Sequence, residues 1–331
     1  METTVPVTDE FMHEPTDELQ FNESMYFNFV DGERGFSTLI RMGNRVNEGH
    51  AEATVLVYLP GGGAVIHFDR PVIKDNDAFD AGGLRFEVID PLRHVRVTFT
   101  GEGHELANGL DLADPKKAFQ SSPLKPLQVT LDYKSIALYG LGGSDDSSGG
   151  IAGAEDSIAA GHYQGPCRIT GSVTIGDDKH EVSGLGFRDH SWGPRIWQGP
   201  KFWRWISCLC DEDNGFVGWI TKIGDTIAPA RGMVIRDGKF SLVRDATVTT
   251  TYGPVPHYPE RFDLTLITDD GEWKAHGEAL TNVPLRHRRD GVTARLAEIV
   301  CRYDFDGKEG YGISEYHDLI IDGIPAGMGE A

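Results

Sequence analysis

His94-Val95-Arg96-Val97-Thr98-Phe99-Thr100 alternates polar and apolar side chains without a break. Successive side chains of an extended chain point to opposite faces, so Val95, Val97 and Phe99 form the buried face of a half-buried strand. Leu127 to Tyr133 alternates in the same way, and the apolar runs Ala53 to Leu59 and Leu84 to Ile89 are bounded by turn residues, the former by Pro60-Gly61-Gly62-Gly63. Downstream, Asn214-Gly215, Asp237-Gly238, Asp270-Gly271, Asp306-Gly307 and Asp322-Gly323 punctuate runs rich in β-branched and aromatic residues. These dipeptides tolerate the positive φ of tight hairpins. Strands joined by short turns predict an all-β chain of antiparallel meanders. Thr293 to Val300 is the best helix candidate and reads equally well as a strand.

The chain has 331 residues, enough for about two domains. Residues 1–20 hold six acidic and no basic residues and no periodicity, and are expected to form a loosely held acidic arm. A Gly-, Ser- and acid-rich stretch around residues 146–160 reads as a linker or a mobile loop, the linker reading placing barrels at 21–145 and 161–331. With 51 acidic and 31 basic residues the net charge is −20, a field that repels nucleic acid and anionic lipid. No apolar run approaches the roughly 20 residues that span a bilayer. Four cysteines are too few for a disulfide framework, and with an acidic start unlike a leader they point to the cytoplasm. Cys208 and Cys210 share a strand face and read as small buried hydrophobes.

The chemically densest stretch is Arg188-Asp189-His190-Ser191-Trp192-Gly193-Pro194-Arg195, expected where a strand leaves its sheet. Strand parity puts Arg188, His190 and Trp192 on one face and Asp189 and Ser191 on the other, which argues against a serine-type triad. Either face can look inward: Gly184 and Gly186 would leave room beside Arg188 and His190, whereas Leu185 and Phe187 facing inward would bring Asp189 with them. A salt-bridge knot closing a barrel end is the competing structural reading. On the last strand Tyr311, Glu315 and His317 share a face with aliphatic neighbours, where desolvation suits acid or base work. Five of the six tryptophans fall between Trp192 and Trp219, and Trp203, Trp205 and Trp219 suit the wall of an apolar site. Tyr163, beside His162, is placed to close over it. No ligand spacing points to a metal, and no Gly-rich loop opens a helix to hold a nucleotide.

The His162-Tyr163 pair, Cys167-Arg168-Ile169-Thr170-Gly171-Ser172-Val173, the run from Gly184 to Gly193 and the closing Gly310-Tyr311-Gly312-Ile313-Ser314-Glu315-Tyr316 resemble the AttH-like and carotenoid 1,2-hydratase (hydroxyneurosporene synthase) superfamily. The resemblance implies two tandem lipocalin-like barrels and a hydrophobic small-molecule ligand. It departs from the hydratases at Ser191, where an acidic or amide residue is expected. The resulting expectation is a cofactor-independent lyase of the hydratase or dehydratase type acting on an apolar terpenoid, steroid-like or aromatic molecule. Asp189 or Glu315 would serve as the acid and His190 would handle the water proton. Trp192 would shield positive charge, and Arg188 and Arg195 would hold the carboxylate or an anionic group. A non-catalytic carrier and a cyclisation catalyst of pericyclase type are the alternatives.

Overall fold

The computed structural model describes residues 5–140 and 159–329. The chain divides into two compact units. One comprises Met1–Asp31, Gly35–Ala107 and Phe119–Ile196, and the other Gly32–Arg34, Asn108–Ala118 and Trp197–Ala331.

The first unit is a sheet of eleven strands. They are β1 (Phe21–Asp31), β2 (Phe36–Arg45), β3 (His50–Tyr58), β4 (Ala64–Asp69), β5 (Asp80–Ala81), β6 (Leu84–Asp90), β7 (His94–Leu106), β8 (Leu124–Ser135), β9 (Tyr139–Gly140), β10 (Gly161–Ile175) and β11 (Asp178–Pro194). The order β4-β3-β2-β1-β11-β10-β8-β7 closes on itself through β4–β7, giving an antiparallel ring of eight strands. The alternating Val95, Val97, Phe99 and Leu127, Val129, Leu131, Tyr133 point into this ring and are all buried. The boundary expected at residues 146–160 therefore does not separate the barrels. β10 and β11, which follow it, complete the first ring, because β1 finds its second partner only in β11. Residues 146–158 of that stretch lie outside the described residues.

The second unit holds β12 (Pro200–Asp211), β13 (Asn214–Ile223), β14 (Thr226–Ile227), β15 (Arg231–Arg236), β16 (Lys239–Tyr252), β17 (Pro259–Thr268), β18 (Gly271–Arg289), β19 (Val292–Phe305), β20 (Lys308–Ile321) and β21 (Ile324–Pro325). β12, β13 and β15 to β20 pair in sequence, and β12 with β20 closes a second ring of eight. The five turn dipeptides lie at or beside hairpin reversals, with Asp237, Asp306 and Asp322 in the left-handed region. Thr293 to Val300 belongs to β19. The single α-helix among the described residues is the short Pro115–Ser121, and no helix there is long and apolar enough to cross a membrane. The cysteines are unbridged; Cys208 lies in the second core and Cys210 packs against it.

Candidate functional site

β11 runs unbroken through the Arg188–Pro194 stretch and ends at Pro194, so the stretch lies where the strand leaves its sheet, as expected. It is held on both sides, by β1 and by β10. Parity is resolved by the neighbours. Arg188 lies opposite Phe27 and His190 opposite Met25, both core residues of the first barrel, so Arg188, His190 and Trp192 face inward. The space at Gly184 is taken by Phe29, whose ring lies 2.7 Å from where a Cβ would sit. Gly161 has a different reason: a Cβ there would fall 2.2 Å from the Trp192 indole, so its absence seats that ring.

Two buried polar clusters meet on this inner face. In the first, Nη2 of Arg188 donates both to Glu10 Oε1 at 2.5 Å and to the Tyr163 hydroxyl oxygen at 2.6 Å. Arg188, Tyr163 and Glu10 are each at most 1% exposed. Burial opposes charge on Arg188, but its interactions with the Tyr163 hydroxyl and the Glu10 carboxylate outweigh that and raise its pKa. Burial also raises the Tyr163 phenol far above its ordinary range, so it stays protonated. Glu10 further accepts the backbone N–H of Leu92 at 2.6 Å.

In the second cluster, Glu23 Oε1 meets His190 Nε2 at 2.7 Å and His13 Nδ1 at 2.8 Å. Its other oxygen accepts the His13 backbone N–H at 3.1 Å and the Asn76 amide at 3.3 Å. Asn44 donates to the Asn76 carbonyl oxygen and fixes the amide in turn. Burial pushes the Glu23 carboxyl up, yet its interactions with His13 and His190, the hydrogen bonds first, outweigh it, and the net displacement is downward. Glu23 is therefore a carboxylate at neutral pH. Trp192 stacks on His13 with centroids 3.8 Å apart, and Trp192, Tyr163 and Phe79 set their rings edge-on to His190 at 5.4 to 5.8 Å.

The ligand atoms of His13, Glu23 and His190 lie within 4.8 Å of one another, the residue set of a two-histidine, one-carboxylate metal centre. Ligand atoms around a tetrahedral ion stand about 3.3 Å apart. The contacts of 2.7 and 2.8 Å to one Glu23 oxygen are hydrogen-bond lengths.

Against this geometry the other sequence candidates separate. Asp189 points away from the barrel core and stands 3.7 Å from His162, and Ser191 on the same face meets Ser24 at 3.1 Å. Arg195 donates to Ser191 Oγ. Tyr163 lies within β10 and faces inward. Glu315 belongs to the other unit. It accepts Trp203 Nε1 at 2.5 Å, while His317 stacks on Trp203 at 3.9 Å and gives its Nε2 to the Trp197 carbonyl. Trp203, Trp205, Trp219, Glu315 and His317 share the face of the second barrel opposite its core. Tyr311 donates to Glu309. No single unit brings Asp189 and Glu315 together.

Sequence reasoning missed Glu10, His13, Glu23 and Asn76. The arm expected to be loose is pinned: Val7–Glu10 forms a 3-10 turn with Glu10 buried, and His13 bonds Glu23. One signal was available, since Arg188, His190 and Arg195 outnumber the single carboxylate of their stretch and a buried cation requires a partner.

No curated protein matches the sequence. Among solved structures, a candidate AttH protein from Nitrosomonas europaea aligns over 96% of this chain and 98% of its own, with TM-score 0.55 and 13% identity. Kievitone hydratase from Nectria haematococca aligns over 94% and 92%, with TM-score 0.56 and 11% identity. CghA with Sch210972 aligns over 93% and 89%, with TM-score 0.55 and 11% identity. The chain thus has the fold of the AttH-like proteins, two tandem lipocalin-like β-domains. A family model described as Domain of unknown function (DUF7064) matches residues 6–320, and the chain belongs to that family.

Proposed function

We propose that this protein is a lyase of the hydratase or dehydratase type, acting by general acid and base chemistry on an apolar terpenoid, steroid-like or aromatic molecule. His190 is the group that moves the proton and Glu23 its orienting partner. One observation carries the reading: the 2.7 Å contact between His190 Nε2 and a Glu23 carboxylate, both side chains fully buried. With Nε2–H given to Glu23, a neutral ring presents its lone pair at Nδ1, and that atom is buried with no partner among the described residues. A carboxylate-held imidazole with a bare second nitrogen is the arrangement a general base requires. Trp192, Tyr163 and Phe79 supply an aromatic surround suited to an apolar substrate. The fold shared with kievitone hydratase supports a hydratase over a carrier.

Asp189 and Glu315 are replaced in this assignment by Glu23, because neither shares the inner face of the first barrel with His190. The test is incubation of wild-type protein with hydroxylated terpenoid, steroid and aromatic panels, reading gain or loss of one water by mass spectrometry. His190→Gln should lower turnover about 100- to 10,000-fold. Full turnover by both His190→Gln and Glu23→Gln would end this reading. The stacked Trp192 and His13 rings favour one second reading, a cyclisation catalyst that shapes its substrate without titrating. Its mark would be isomerisation at constant mass.

A further inference from the structure

Arg188 and Arg204, each at most 1% exposed, are used differently. Arg204, inside the second barrel, spends both terminal nitrogens on the protein and leaves Nε alone without a partner among the described residues. Nη1 reaches the carbonyls of Trp203 and His317 and one Asp318 oxygen, and Nη2 reaches the other Asp318 oxygen and the Tyr252 hydroxyl. Arg188 spends one. Glu10 and Tyr163 both sit on Nη2, while Nε and Nη1 are buried with no partner among the described residues. A guanidinium presents its donors as a planar fork, so Nε and Nη1 form an unoccupied edge beside the occupied one. Two residues further along the same inward face, His190 Nδ1 is likewise without a partner. Buried polar atoms are ordinarily satisfied, and a donor edge and an acceptor left over within about 7 Å along one strand point to something that supplies both.

We infer that Arg188 is the oxygen-binding subsite of this centre, and that the substrate is a ketone or enone whose carbonyl oxygen lies on the free Nε and Nη1 edge. This rests on the lyase reading and narrows its substrate class. A carboxylate is the wrong ligand: Glu10 already neutralises Arg188, and Glu23 adds another negative charge nearby, so a further fixed anion would be buried uncompensated. A carbonyl enters neutral and gains negative charge only as the reaction proceeds, so the donors bind the transition state more tightly than the ground state.

The step balances. In a β-hydroxy ketone, His190 Nδ1 takes the proton from the α-carbon, and the C–H electron pair moves toward the carbonyl to give an enolate oxygen held by Arg188. The pair then returns to form the α,β double bond as the β C–O bond breaks. The departing hydroxide collects the proton from His190 and leaves as water. Hydration of the enone is the reverse.

Benzylideneacetone and 1-phenyl-1-butene, close in shape and differing in the carbonyl, test this by isothermal titration calorimetry on the full chain. The enone should bind about tenfold tighter or better, the effect of one hydrogen bond to a charged donor. Its carbonyl stretch, read with carbon-13 labelling, should shift to lower frequency on binding. Arg188→Lys keeps the charge opposite Glu10 but loses the fork, and should bring the two ligands to parity and abolish the shift. Equal binding of both ligands by wild type, binding of neither, or a preference unchanged in Arg188→Lys would overturn the inference. The outcomes also part from those of the lyase reading. An enone preference without gain of water removes the lyase and keeps the subsite, whereas turnover of an unactivated alkene without that preference removes the subsite and keeps the lyase.

Discussion

Glu10 closes a buried ion pair in the interior of the first barrel. It is the carboxylate on Arg188, and both side chains are fully buried. Removing one partner of such a pair leaves the other charge uncompensated, so Glu10→Gln should cost about 3–5 kcal/mol of unfolding free energy, measured by urea titration. Asp189→Asn, whose carboxylate is partly exposed and 3.7 Å from His162, should cost about 1 kcal/mol or less in the same experiment. The sequence suggests no such contrast, since Asp189 is the single carboxylate of the Arg188–Arg195 stretch. Parity did place Arg188, His190 and Trp192 together. Their partners were not legible, because Glu10 lies 178 residues before Arg188 and Glu23 lies 167 before His190, and contacts that distant leave no local pattern.

Among the elements, β11 organises the site and the segment before β1 completes it. A variant lacking residues 1–19 would lose Glu10 and His13 together, leaving Arg188 without its carboxylate and Glu23 with one imidazole. It should unfold at lower urea than wild type and also lose turnover, whereas a dispensable arm would change neither. β12 offers an independent check through its cysteines. The Cys210 thiol is drawn down by its hydrogen bond with Cys208, while burial pushes Cys301 in β19 and Cys167 in β10 up to about 12. Iodoacetamide on native protein should therefore alkylate Cys210 first and reach Cys167 and Cys301 only on unfolding, as peptide mapping would show. The strands themselves were readable from alternation, Val95-Val97-Phe99 above all. Ring closure was not: the β4–β7 pairing and the return of β10 and β11 to β1 join segments whose patterns are each complete without the other. A glycine- and serine-rich stretch near the middle of the chain then reads as a boundary, although the first ring still lacks two strands at that point.

For the whole molecule, stability should be bounded by groups on both faces of the first barrel. Glu23 and Asp132 are held below their ordinary values in the fold, so they contribute stability above the usual carboxylate range that is lost as pH falls through the lowered values. Tyr133 and Tyr163 are held protonated by burial, and their contribution, present below about pH 10, is lost as pH rises beyond it. Urea titrations across pH should give a plateau between about pH 5 and pH 10, and Glu23→Gln should flatten its acid limb. The central claim is that the chemistry belongs to Glu23 and His190 on the inner face of the first barrel. The measurement that reaches it most directly is kcat for four single variants on a substrate identified by gain or loss of water. Glu23→Gln and His190→Gln should each lose about 100-fold or more, with Asp189→Asn and Glu315→Gln within a fewfold of wild type. Full activity in the first two with loss in either of the others would contradict it.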